Sequence, residues 1–182
     1  VYLPRDGVDL PDEPQRLSIA LAGPRTATHW TGQAPDFDFY DLKGIIDTLL
    51  TRLGLQGVWA PERDHPTYHP GRAARITARP VGAGEGTPGQ DIGVAGELHP
   101  LVRAAFNAQS SIDLPDHPIL AADLDMAALL QAANLNVLHT ALSTRPPVKM
   151  DLAVIVDEGV PQARVRDIIA AAGGDLLRGL EL

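Results

Sequence analysis

Residues 38–53, DFYDLKGIIDTLLTRL, carry the clearest structural signal in the chain. Leu42, Ile45, Ile46, Leu49, Leu50 and Leu53 recur at three- and four-residue steps, which makes one apolar stripe on a helical period. Asp36 or Asp38 can accept the free amides at the start, and Gly54 supplies the stop. The spacing predicts an amphipathic helix that must bury one face against another layer.

The flanking sequence supplies that layer as strands. Arg16 to Gly23, RLSIALAG, alternates, with Leu17, Ile19 and Leu21 on one face. Arg72 to Ala78 and Ile92 to Leu98 read as two more strands, joined by the Gly/Pro-rich hairpin loop Arg79 to Gln90. His99-Pro100 opens a short helix through Asn107, with Leu101, Val102 and Ala105 expected to face inward. Ile119 to Leu124 is a further strand, followed by a helix over Met126 to Ala132, while Val1 to Pro14 reads as an extended arm. Strands in hairpins with helices beside them define an α+β fold, an antiparallel sheet flanked by helices.

Ser143 to Pro147, STRPP, breaks regular structure and marks a boundary, so the chain divides into 1–142 and 143–182. Beyond it, Met150 to Val156 is expected as a strand. Pro161 opens a helix whose stripe is Val165, Ile168, Ile169 and Ala172, closed by Gly173-Gly174. Leu176 to Leu182 begins another strand-like run, and this second unit reads as cut short.

Composition narrows the class. The chain has 182 residues, 45% of them hydrophobic but only 4% aromatic, so the core must be aliphatic. It holds no Cys, hence no disulfide framework or thiolate metal site, and an intracellular, cytoplasmic setting fits. No apolar run reaches the roughly 18 residues needed to span a bilayer. The formal net charge of −8 argues against a broad nucleic-acid footprint.

Several groups invite chemistry. His65 and His69 have the spacing of helical zinc ligands, but each precedes a proline, which disfavours helix there, and the zincin glutamate is missing. Glu97 and His99 share a face at a strand end and could pair as acid and base. The plainer reading has Glu97 capping the helix at Pro100 while His99 bonds to backbone. Gly82 to Gly89 lacks the Gly-Lys-Ser/Thr of a phosphate loop and is a hairpin turn. Asp113, Asp116, Asp123 and Asp125 read as solvated ends of a strand and turn, and no nucleophile triad is recognisable. Arg145 and Lys149 flank the boundary, where cations can meet a phosphate backbone. Arg72 is expected to pair with Glu97 across neighbouring strands.

Four stretches, in order, resemble the bacterial phenylalanyl-tRNA synthetase beta subunit. Asp36 to Gly44, DFDFYDLKG, is similar to its aromatic-Asp-Leu-Lys-Gly helix opening; His69 to Ile76, HPGRAARI, to its His-Pro-Gly-Arg turn. Gly93 to Pro100, GVAGELHP, resembles its Gly-Glu-Leu-His-Pro junction, and Val148 to Val156, VKMDLAVIV, its Arg-Asp-Leu-Ala strand. Met150 stands where the family usually has Arg, and Arg145 where an aromatic is common.

The resemblance implies a fragment from the C-terminal part of that subunit. Residues 1–142 would form a catalytically inactive class II synthetase core-like domain packed against the alpha subunit, and 143–182 the truncated start of a ferredoxin-like anticodon-binding domain. It implies no catalytic residue, metal or cofactor in the fragment; the whole ligase uses ATP and magnesium. His69, Arg72, Glu97 and His99 are then structural or interface candidates, and Arg145 and Lys149 RNA-contact candidates. The competing readings are a free-standing RNA-binding domain and a metal-dependent hydrolase using His65, His69, Glu97 and His99.

Overall fold

Asp38 starts the helix that organises the chain. In the computed structural model its carboxylate accepts the amides of Tyr40 at 2.8 Å and Asp41 at 3.2 Å, while the Asp41 carboxylate accepts the Asp38 amide at 2.7 Å. This reciprocal capping box satisfies donors that a helix start leaves free. Helix α1 runs over Phe39–Arg52, and Gly54, at φ +71°, lets the chain leave it. The structure describes residues 2–7, 9–27, 29, 30, 32, 34–83, 87–111, 113–136 and 145–181.

The first of two compact units, Val1–Leu138, holds a five-stranded antiparallel sheet. Its strands are β1 (Arg16–Ala22), β2 (Leu55–Pro61), β3 (Tyr68–Pro80), β4 (Gln90–Leu98) and β5 (Ile119–Asp125), in the order β1-β5-β4-β3-β2. Helix α2 covers Pro100–Gln109 and α3 covers Met126–Ala132. Leu42, Ile46 and Leu50 of α1 and Ala128 and Leu129 of α3 join Ile76, Ala95, Leu120, Ala122 and Leu124 in one aliphatic cluster. Each fully buried Leu or Ile contributes about 1.5–3 kcal/mol. The arm folds back on itself, with Leu3 paired antiparallel to Asp12.

Two irregularities interrupt the β3–β4 ladder. Between the pairs Tyr68–Leu98 and Ala73–Gly96, β3 advances five residues and β4 two, so His69-Pro70-Gly71 bulges outward. At the other, Ile92 is the extra residue of β4, and Gly93 takes φ +142° with its backbone against β5. A Cβ on Gly93 would lie 2.1 Å from the Asp123 carbonyl oxygen.

Three expectations are corrected. Leu101 is 73% exposed and Ala105 is exposed, so only Val102 of the predicted inward trio is partly covered. Helix α2 buries no residue, because it leaves the sheet end instead of lying on the helix-covered face. Met150–Val156 is irregular and pairs with no strand among the described residues, and the run expected as a strand over Leu176–Leu182 ends the 3-10 turn Gly174–Leu176 and is irregular over 177–181. A strand exists through hydrogen bonds to a neighbour, and no ladder forms among the described residues of the second unit, His139–Leu182. That unit contains helix α4 (Gln162–Gly173), as its apolar stripe predicts. Of the predicted boundary, Ser143 and Thr144 lie outside the described residues, and residues 145–147 are irregular.

Gly93→Ala is expected to lower stability in urea denaturation by more than about 1 kcal/mol, since both φ and the Asp123 contact oppose a side chain. Gly44→Ala, in α1 with nothing within 4 Å of the added methyl, should raise stability by about 0.5–1 kcal/mol.

Candidate functional site

Four of the six histidines are followed by proline: His65, His69, His99 and His117. In three of these the imidazole Nδ1 accepts the amide two residues on: His65 from Thr67 at 3.3 Å, His69 from Gly71 at 3.1 Å and His99 from Leu101 at 3.1 Å. Proline has no amide, so the next residue carries the first available donor, and the ring closes a turn as an Asn or Asp side chain would. An accepting Nδ1 assigns the hydrogen to Nε2 in the neutral ring.

These turns build one corner of the sheet. The β3 bulge brings His69 against His99, with ring centroids 6.0 Å apart and planes 24° from parallel. His65 lies against Tyr68 at 4.8 Å, and the His99 amide donates to the Thr67 carbonyl at 2.9 Å. Burial pushes the Tyr68 hydroxyl up, with Asp123 adding to it. Beside the rings, Arg72 Nη1 reaches both Glu97 oxygens at 2.9 and 2.8 Å. The Arg72 side chain is 59% exposed and that of Glu97 17%. His99, not Glu97, is therefore the helix cap, because the β4 register directs Glu97 toward Arg72.

Sequence reasoning missed three further arrangements. Arg75 bridges Glu62 at 3.0 Å and Asp91 at 2.8 Å. The Asp64 amide, then Arg75, hold the Glu62 carboxyl below the usual range. Arg25 clamps Asp38 at 2.6 Å and Asp41 at 2.8 Å, and the Asp38 amide, then Arg25, depress the Asp41 carboxyl. Asp47 accepts the Trp59 indole N–H at 2.9 Å and pairs with Lys43, which sits 5.1 Å from the Trp59 ring centre. Only the His-Pro recurrence left a sequence signal; the other pairings depend on register and helix placement.

The chemistry open to this corner is limited. Among the described residues, no three His, Cys, Asp or Glu side chains gather to hold a metal ion. The rings of His65, His69 and His99 already spend Nδ1 on backbone. In the second unit, Arg145 and Lys149 lie exposed on the irregular 145–150 stretch. Among the described residues, no helix is long and apolar enough to cross a membrane.

Arg72→Ala should lower the melting temperature, and a double-mutant cycle with Glu97→Gln should return a coupling of about 0.2–1 kcal/mol. An unchanged melting temperature with zero coupling would remove any structural role for the pair.

Comparison with known proteins gives the same direction throughout. Residues 1–126 match the family model described as the phenylalanyl tRNA synthetase beta chain CLM domain. The chain is 34% identical over 182 residues to the phenylalanine–tRNA ligase beta subunit of Symbiobacterium thermophilum, covering all of this chain and 19% of the relative. It is 38% identical over 183 residues to that of Moorella thermoacetica, covering all of this chain and 20% of the relative. The Listeria monocytogenes subunit is 30% identical over 184 residues, with 100% and 21% covered. The chain thus spans about a fifth of the length of these curated relatives. By the family match over residues 1–126, the chain belongs to the phenylalanyl-tRNA synthetase beta chain family.

Proposed function

We propose that this chain is a non-catalytic part of a phenylalanine–tRNA ligase, the enzyme that attaches phenylalanine to its tRNA with ATP. In this reading residues 1–142 form a class II synthetase core-like domain that packs against the alpha subunit, and 143–182 begin a ferredoxin-like anticodon-binding domain. An antiparallel sheet with α1 and α3 packed on one face supports the first assignment. The observation that carries the non-catalytic reading is the fate of the cations. Arg72 and Arg75, which would be needed free to meet nucleotide phosphates, are held by Glu97, Glu62 and Asp91. These residues do not fit an ATP–magnesium site, so both are assigned to other parts of the whole, cytoplasmic enzyme.

The stacked His69–His99 corner is the candidate contact with the alpha subunit, since its rings and the Arg72 head lie at the surface with their backbone-facing atoms already satisfied. Arg145 and Lys149 are the candidates for contact with tRNA through the complete C-terminal domain.

The purified chain is expected to show no phenylalanine-dependent ATP–pyrophosphate exchange and to co-purify with the alpha subunit. In the full-length beta subunit, the pair His69→Asn and His99→Asn keeps a turn-closing acceptor and removes both rings. Its affinity for the alpha subunit should fall by at least about tenfold, or 1.4 kcal/mol, with an unchanged melting temperature. Equal affinity would assign the contact elsewhere.

A further inference from the structure

Three of the His-Pro imidazoles belong to one chain of contacts. The His65 ring holds the Thr67 amide, and the Thr67 carbonyl accepts the His99 amide at 2.9 Å. The His99 ring holds the Leu101 amide in the first turn of α2 and lies against the His69 ring, which holds the Gly71 amide. The 62–67 connection, the β3 bulge and the start of α2 are therefore fastened through the same three side chains.

Each fastening needs a neutral ring. Nδ1 accepts an amide through its lone pair, and a proton placed there sets two donors face to face. Histidine is the side chain whose charge ordinarily changes between about pH 5 and 8. Protonating both His69 and His99 also puts like charges on rings whose centroids are 6.0 Å apart, with Arg72 close by in the chain adding another.

The surrounding charges do not offset this. Glu97 of β4 is taken by Arg72 of β3, and Tyr68 of β3, with Asp123 of β5 acting on it, lies against His65. Arg63 and Asp64 precede His65, the Asp64 amide donates to Glu62, and Arg103 of α2 donates to the Pro115 carbonyl. Among the described residues, no carboxylate forms an ion pair with these three rings, whereas His117 Nδ1 lies 2.9 Å from an Asp36 oxygen. Acid strengthens the His117 link and breaks the other three.

We propose that this corner is an acid-operated latch. Protonation of His65, His69 and His99 releases the three turn amides and frees the 62–67 connection and the first turn of α2, while the sheet stays folded. The buried residues of the core cluster are Leu, Ile and Ala and carry no titratable group. The Glu62 and Asp41 carboxyls, held below the usual range, keep their ion pairs where histidine titrates. Nothing in this device depends on contact with the alpha subunit.

Residue-resolved hydrogen exchange on the full-length beta subunit at about pH 7.5 and about pH 5, corrected for the intrinsic pH dependence of exchange, tests it. Protection of the Thr67, Gly71 and Leu101 amides should fall by about tenfold or more at the lower pH, while Ala95 and Ala122 in the central strands keep theirs. Combining His65→Asn, His69→Asn and His99→Asn leaves acceptors that do not titrate, so the acid loss should disappear. Should that triple variant be unprotected at both pH values, His69→Asn alone decides, since it should keep Gly71 protected in acid. His117→Asn should leave the response unchanged. Equal protection at both pH values in the parent chain would overturn the proposal. So would an acid loss that persists with the Asn acceptors or vanishes with His117→Asn, because the proton would then act elsewhere.

Discussion

Three alanines set how closely the helices approach the sheet. Ala74, Ala95 and Ala122 stand opposite one another on β3, β4 and β5 and are all buried. Their small side chains form a shallow row across the middle strands, and the clustered Leu42, Ile46 and Leu50 from α1 and Leu129 from α3 supply the bulk above it. Along this row large helix residues meet small strand residues, while Ile76, Ile92, Leu120 and Leu124 of the strands fill the space to either side at the density of a protein interior. This division also explains how 4% aromatic content suffices: the fully buried large side chains are Leu and Ile. The capping box at Asp38 and the reversal at Gly54 fix where α1 begins and ends, and so which residues reach that row.

Periodicity made α1, β1, β5, α3 and α4 readable in the sequence, because each carries a run that repeats on a helical or strand period. The three alternating residues of β1 are the three the structure turns toward the core. Features that depend on a partner were less readable. Nothing local distinguishes the inward face of α2 when the helix leaves the sheet end with Leu101 exposed. The apolar residues of Met150–Val156 announce a wish for burial, but a strand also needs a neighbour, and the described residues of the second unit provide none. The His69-Pro70-Gly71 bulge is a matter of counting residues between two ladder pairs, which sequence alone does not supply.

The candidate site shows the same division. Arg72 and Glu97 were placed together from neighbouring strands, and they meet in the structure. The helix cap was assigned to Glu97, although His99 holds it, because the decisive variable is the direction of one side chain at the end of β4. The His-Pro pairs had a legible logic: proline withholds its amide, and the imidazole takes the next one. The imidazoles of His65, His69 and His99 close turns, and Arg72 with Glu97 links neighbouring strands. Among the described residues, this member of the phenylalanyl-tRNA synthetase beta chain family presents a ring-stacked corner and a helix, α2, that buries no residue.

The seating of the helices on the alanine row is tested most directly at its centre. Equilibrium urea denaturation of Ala95→Leu should show a loss of about 1–3 kcal/mol, because the added methylenes have no space beneath α1 and α3. Stability equal to or above that of the parent chain would mean that the row is not tightly covered, and would contradict this account of the fold.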